Sequence, residues 1–95
     1  MKYSVVIAAK DEASNIVDCI QSALGATEVI LIDNQSSDQT VALAKDNGAK
    51  IYHRKLDGFA SQKNFGIDKT TNDWVLILDA DERLTPKLAQ AIKEL

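Results

Sequence analysis

Asp79, Asp81 and Glu82 follow directly on five consecutive apolar residues, Trp74-Val75-Leu76-Ile77-Leu78. Such a run reads as a strand buried on both faces, and acids gathered at its end mark a place where charge is wanted. If the backbone stays extended, residues two apart point to the same side, so Asp79 and Asp81 would present their carboxylates together. Two adjacent carboxylates repel unless a positive group joins them, and a hard divalent cation with a taste for oxygen, Mg²⁺ or Mn²⁺, is one natural occupant. The plainer alternative is a solvated acidic turn neutralised by Arg83. Two further polar clusters stand after apolar runs: Lys10-Asp11-Glu12 after Tyr3–Ala8, and Asp33-Asn34 after Glu28–Ile32.

These clusters need elements to position them, and the chain alternates strand-like and helix-like patterns from end to end. After the first strand, Asp11 is placed to cap a helix whose residues Ile16, Cys19, Ile20, Ala23 and Leu24 share one face, with Gly25 as its stop. After the second strand, Ser36 or Ser37 is placed to cap a helix carrying Val41, Leu43 and Ala44 that Gly48 ends. The third strand, residues 49–54, is short and polar, as an edge strand would be. Residues 58–68 form a weaker helical pattern. Thr85-Pro86 opens a last helix with a capping side chain and a proline at its first position, stapled by Leu84 and carrying an apolar face of Leu88, Ala91, Ile92 and Leu95. Strand and helix alternating four times predict one α/β domain over residues 1–95. It would be a three-layer α/β/α arrangement on an open, mainly parallel sheet of four strands. In such sheets ligands bind beyond the carboxyl ends of the strands, and all three polar clusters fall there.

Composition narrows the partners. With 45% hydrophobic and 26% charged residues and a net charge of −3, the chain reads as a folded acidic domain, and no basic stripe offers itself to nucleic acid. The single cysteine, Cys19, excludes an internal disulfide and points to a buried packing role. No run approaches a transmembrane segment, and no signal-peptide pattern opens the chain, so a cytoplasmic location is expected, with the cytoplasmic face of the inner membrane as a possible working place. His53, the only histidine, has no partner histidine or cysteine and reads as a surface or edge residue. Trp74 is expected at the end of the fourth strand remote from the acids, packed under a helix.

Phosphate would have to be held without the usual glycine devices, because neither GxGxxG nor GxxxxGK[ST] occurs. A diphosphate would need a cation at Asp81, helped by a basic side chain such as Lys63, Lys10 or Arg83, while Asp33 could accept hydrogen bonds from a base or a ribose. Four ordered stretches now fit together: Ser4–Glu12, Val29–Thr40, Gly58-Phe59-Ala60-Ser61-Gln62-Lys63-Asn64, and Val75–Glu82. Together they resemble the N-terminal half of family 2 glycosyltransferases of the GT-A fold, and the third stretch resembles the branch related to lipopolysaccharide-core β-1,4-glucosyltransferases.

The resemblance implies strand order 3-2-1-4 and roles residue by residue. Ala8 and Ala9 would line the nucleoside pocket with Glu12, although Lys10-Asp11-Glu12 replaces the family's commoner Tyr-Asn-Glu. Asp33 would recognise the uracil ring. Lys63 would lie near the base and diphosphate, as a point charge where arginine is frequent. Asp79 would stand near the ribose or metal, and Asp81 would coordinate the metal. The implied reaction is inverting transfer from a UDP-sugar to a glycan or lipid-linked acceptor in cell-envelope polysaccharide or lipopolysaccharide-core synthesis. The catalytic base would lie in an acceptor half downstream of Leu95, so the 95 residues are expected to act as a truncated donor-binding half, with Glu82 the only stand-in for the base. The open edge of the fourth strand is then expected to drive self-association.

Two rivals read the acids differently. A haloacid-dehalogenase-like phosphatase also keeps a DxD after a buried strand, but that pattern wants Thr or Val where Arg83 stands, and on the first strand. A receiver domain wants its phosphoacceptor on the third strand, where Tyr52-His53-Arg54 stand. A non-enzyme alternative is an inactive nucleotide-binding or oligomeric remnant.

Overall fold

The structure, a computed structural model, describes residues 2–55 and 58–95; the Phe59 side chain also lies outside what is described. Four strands, β1 (Ser4–Ala9), β2 (Glu28–Asp33), β3 (Lys50–His53) and β4 (Val75–Asp79), alternate with four helices, α1 (Ala13–Ser22), α2 (Thr40–Asp46), α3 (Phe59–Asp68) and α4 (Pro86–Lys93). The sheet is parallel throughout with order β3-β2-β1-β4, the order the resemblance implied. β1 and β2 are central and carry the fully buried aliphatic residues Val5, Val6, Ile7, Ile30, Leu31 and Ile32.

Strand alternation divides these residues between two layers. Val5, Ile7 and Leu31 pack with Ile16, Cys19 and Ile20 of α1, Ala44 of α2, and Ala89 and Ile92 of α4. Val6, Ile30 and Ile32 face the other way, toward Phe65 of α3. One helix therefore covers a face that three helices cover on the opposite side. It does so by close approach: a Cβ on Gly66 would collide with Val6 Cγ1 and sit 3.1 Å from Ile32 Cγ1. Because α3 lies over β1 and β2, β4 is not buried on both faces as its sequence suggests; Val75, Leu76 and Ile77 are half-buried and only Leu78 is buried.

The starts of two helices depart from the sequence reading. Asp11 does not cap α1, and neither Ser36 nor Ser37 caps α2. Asp38 serves both instead, its Oδ2 accepting from Ala13 N–H at 3.2 Å and its Oδ1 from Thr40 N–H at 2.9 Å. The Thr40 hydroxyl also donates to Asp38 Oδ1, the largest reason the carboxyl of Asp38 is held below the usual range. The end of α1 also departs from it, since the helix stops at Ser22 with Ala23 as its C-cap and Gly25 lies beyond, but at two further ends the reading holds. Gly48 takes a φ of +91° after α2, and Thr85 Oγ1 accepts from Leu88 N–H at 3.1 Å with Pro86 opening α4. Leu84 is buried beneath that cap, but Leu88 and Leu95 are exposed and the inward face of α4 is Ala89 and Ile92. Leu24 and Trp74 are likewise exposed, at 63% and 61%, so Trp74 does not pack under a helix.

The end of the sheet opposite the acids is pinned by one buried carboxylate. Glu28 Oε1 accepts from Ser4 Oγ at 2.7 Å and from Thr71 N–H at 2.6 Å, and Oε2 accepts from Lys50 Nζ at 2.9 Å. Burial would raise the pKa of Glu28, but these donors outweigh it and hold the group down to about 2.

Candidate functional site

Register decides which acids can meet. Ala9 of β1 pairs with Asp33 of β2, and Ala8 pairs with Asp79 of β4, so both acids flank the carboxyl end of β1. Their backbones are separated by two strand spacings, about 10 Å. Alternation sends Asp33 toward the α1/α2 layer with Leu31, and Asp79 toward the α3 layer with Val75 and Ile77. Ala8, half-buried, and Ala9, buried, put only methyl groups between them.

Asp33 is the unusual member. It is 2% exposed, and its Oδ2 accepts from Ser36 N–H at 3.2 Å and faces His53 Nδ1 at 3.3 Å. Its Oδ1 is buried and has no hydrogen-bond partner among the described residues. A buried carboxylate oxygen without a donor is costly unless a ligand supplies the missing hydrogen. His53 is the exposed edge-strand residue its sequence suggests, but its partner depends on the pairing of Asp33 with His53 across β2 and β3, and register between strands is not legible from the strands themselves.

The acidic turn after β4 is tighter than an extended reading allows. Ala80 is buried, and Glu82 N–H donates to Asp79 O at 2.9 Å, so Asp79 and Asp81 do not lie on one extended face. Glu82 Oε1 accepts from Asp79 N–H at 2.7 Å, which commits that side chain to the turn. Arg83 donates to the carbonyl oxygens of Ala80 and Glu82 and to Asn15 Oδ1, fastening the turn to α1 rather than neutralising its acids. Asp79 and Asp81 are exposed, and among the described residues none engages either carboxylate by a hydrogen bond or ion pair. Cys19 lies beneath the turn with its thiol toward Asp79 O at 3.6 Å, and burial pushes its pKa up to about 11.

Two loops frame the site. Asp11, at φ +53°, donates its N–H to Ser36 Oγ and accepts from Ser37 N–H at 2.6 Å, while Glu12 N–H donates to Thr40 Oγ1 at 2.8 Å. The loop after β1 is thereby laced to the loop after β2. On the other face, the Gln62 side chain is buried and donates to Arg54 O, while Arg54 donates to Gln62 Oε1 and Ser61 Oγ. This ties the first turn of α3 to the end of β3. Lys63 is half-buried with no committed partner among the described residues. It stands one turn nearer the rim than Gly66, about 4.5 Å along the helix.

Among the described residues, no group of three or more His, Cys, Asp or Glu side chains forms a closed metal site. The exposed carboxylates of Asp79 and Asp81 are oxygen donors of the kind a hard divalent cation takes. Ala8, Ala9, Asp33 and Asp79 thus stand at the carboxyl ends of their strands, with Asp81 in the turn that follows β4 and Lys63 in the second turn of α3. Glu12 reaches the same end, but its carboxylate accepts from Asn15 Nδ2 at 3.3 Å.

Comparison with known proteins gives one consistent picture. The family model for glycosyl transferase family 2 matches residues 4–95. An uncharacterised glycosyltransferase of Rickettsia typhi is 42% identical over 93 residues, covering 97% of this chain and 32% of the relative. The lipopolysaccharide core biosynthesis glycosyltransferase LpsC of Rhizobium meliloti is 31% identical over 100 residues, covering all of this chain and 37% of LpsC. Among solved structures, S. aureus TarS superposes with a TM-score of 0.80 at 20% identity, over 99% of this chain and 32% of TarS. Mycobacterium tuberculosis glucosyl-3-phosphoglycerate synthase, solved with Mn²⁺, UDP and glucosyl-3-phosphoglycerate, gives 0.74 at 24%, over 83% and 33%. The chain spans about a third of the length of these relatives.

Proposed function

Because the chain belongs to glycosyltransferase family 2, we propose that its rim binds the UDP-sugar donor of an inverting, metal-dependent transferase acting in cell-envelope polysaccharide or lipopolysaccharide-core synthesis. The observation that carries this reading is the buried Asp33 Oδ1, without a partner among the described residues, at the same carboxyl end of the sheet as the carboxylates of Asp79 and Asp81. Uracil presents an N–H that Asp33 Oδ1 lacks, and a nucleoside diphosphate is long enough to reach from there to the Asp79–Asp81 turn. The ligands of the M. tuberculosis synthase and the name of LpsC agree with this donor and this pathway class.

In the proposed complex Asp33 accepts the base N–H, Ala8 and Ala9 leave room for the nucleoside, and Asp79 faces the ribose. Lys63 and the cation-binding Asp81 lie toward the diphosphate. When bound, a divalent cation offsets the negative charge that grows on the leaving diphosphate. Lys63 adds a fixed positive charge from the α3 side, and a donor oriented in this way exposes its anomeric carbon to an acceptor hydroxyl.

The acceptor proton needs a base. Glu82 does not serve, since its carboxylate holds the Asp79 amide. We therefore place the base and the acceptor site in residues beyond these 95, and expect the 95-residue chain to bind donor without transferring sugar. This retains a nucleotide-binding role for the chain alone and leaves no part for a phosphatase-like Asp79 nucleophile. No described helix is long and apolar enough to cross a membrane, and we assign the work to the cytoplasm or the cytoplasmic membrane face.

Backbone amide shifts on adding UDP with Mg²⁺ test the assignment. Ala8, Ala9, Asp33, Lys63 and Asp79 to Asp81 should move together. Changes confined to the opposite end, around Trp74 and Leu95, would rule it out.

A further inference from the structure

We infer that His53 is a positioning residue for nucleobase selection: its Nδ1–H locks the Asp33 carboxylate in the one orientation that offers a bare Oδ1 to an N–H of the base. The inference rests on the donor-binding reading above and adds a residue to it.

A carboxylate has no hydrogen to give, so a 3.3 Å contact between Asp33 Oδ2 and His53 Nδ1 requires the hydrogen on the imidazole. Ser36 N–H reaches the same oxygen at 3.2 Å. Both donors converge on Oδ2, and among the described residues none reaches Oδ1. Rotation of the carboxylate about χ2 would exchange the two oxygens, but it would gain nothing, because the exchanged oxygen meets the same two donors. A partial rotation would break both contacts in a side chain that water hardly reaches. The carboxylate is held in plane by partners on one side only.

His53 suits this work because it is mounted and open at once. Its backbone pairs with Asp33 across β2 and β3, and Arg54 N–H donates to Asp33 O at 2.9 Å, so the two side chains leave adjacent strands in register. The Asp33 side chain is 3% exposed, while that of His53 is 68% exposed. Nε2 can therefore exchange hydrogens with water without disturbing the Nδ1 contact. The bare oxygen discriminates by hydrogen-bond sense. Uracil offers N3–H to it, whereas cytosine offers a lone pair at N3 and would face a buried anionic oxygen with no hydrogen between them.

Titration of the 95-residue chain with UDP and with CDP, in the presence of Mg²⁺, tests this. The wild type should prefer UDP by roughly tenfold to a hundredfold. His53→Ala should weaken UDP binding about fivefold to twentyfold and shrink the preference toward unity, because the freed carboxylate can turn. His53→Asn, whose side-chain N–H₂ can stand at the Nδ1 position, should recover most of both. Imidazole ¹⁵N shifts of the wild type should show Nδ1 protonated without any ligand. Equal UDP affinity and equal preference in His53→Ala would overturn the inference while leaving the donor-binding reading intact. So would equally weak binding by the Ala and Asn variants, or a neutral imidazole carrying its hydrogen on Nε2. No UDP binding by the wild type would overturn both.

Discussion

Asp33 Oδ1 carries a desolvation cost of order 1–3 kcal/mol in the unliganded chain, and that cost is what a base N–H would relieve. Asp33→Asn should leave the fold within about 1 kcal/mol of the wild type, because the retained oxygen can still accept from Ser36 and His53. The same change should lower UDP affinity at least about tenfold, since the orphan oxygen becomes an amide nitrogen with the wrong hydrogen-bond sense. Thermal melts and calorimetry on one sample separate the two effects. Glu28 is the opposite case, a buried acid with every neighbour satisfied. Its folded pKa, about 2, lies below the ordinary 4.5. The unfolded chain therefore binds the proton first as pH falls. The stability it contributes is fully present above about 4.5 and is lost as pH drops toward about 2. Glu28→Gln should cost roughly 1–3 kcal/mol at neutral pH and flatten part of that acid slope, read from melts at pH 7, 4 and 3.

At the scale of elements, the close approach of α3 makes the sharpest prediction. Gly66→Ala should destabilise by roughly 1–3 kcal/mol through collision with Val6, and should lift Lys63 from the rim with the helix. Chemical denaturation measures the first and the UDP shift of the Lys63 amide the second. Thr85→Ala should cost about 1 kcal/mol by removing the α4 cap. The apolar runs, Gly48, and the Thr85-Pro86 pair made the order and type of all eight elements legible in the sequence, because each depends on residues close in the chain. The strand pattern made the placement of Asp33, Asp79 and Asp81 at or just beyond the carboxyl ends of the strands legible. What stayed hidden depends on residues 20 or more positions apart. Asp38 capping α1 across to Ala13, Asp11 receiving Ser37, and His53 beside Asp33 are all of this kind. The polar residues of the Ser61-Gln62-Lys63 stretch also divide in a way that sequence cannot show: Ser61 and Gln62 hold Arg54, and Lys63 has no committed partner among the described residues. Burial of β4 was overread, since a five-residue apolar run does not reveal that α3 covers its neighbours instead.

Across the whole molecule, the two sheet edges are unlike. β3 presents Lys50 and His53, charged or polar residues that discourage pairing, whereas β4 is apolar and has only β1 beside it among the described residues. Next to that edge, Tyr3, Trp74, Val75, Leu76, Ile92 and Leu95 line an apolar cavity of about 180 Å³, with Trp74 61% and Leu95 79% exposed. A second copy of the chain is the occupant expected there, and sedimentation at rising concentration should show dimers that Leu76→Lys disperses. A monomer at every concentration would refute this without touching the donor site, which lies at the other end of the strands. The donor site itself has its own direct test, calorimetric titration of the 95-residue chain with UDP, with and without Mn²⁺. The wild type should bind more tightly with the cation, Asp81→Asn should lose that gain, and Asp33→Asn should bind weakly under both conditions. Indistinguishable traces for all three proteins would contradict a rim that holds a nucleotide through Asp33 at one end and a cation at Asp81 at the other.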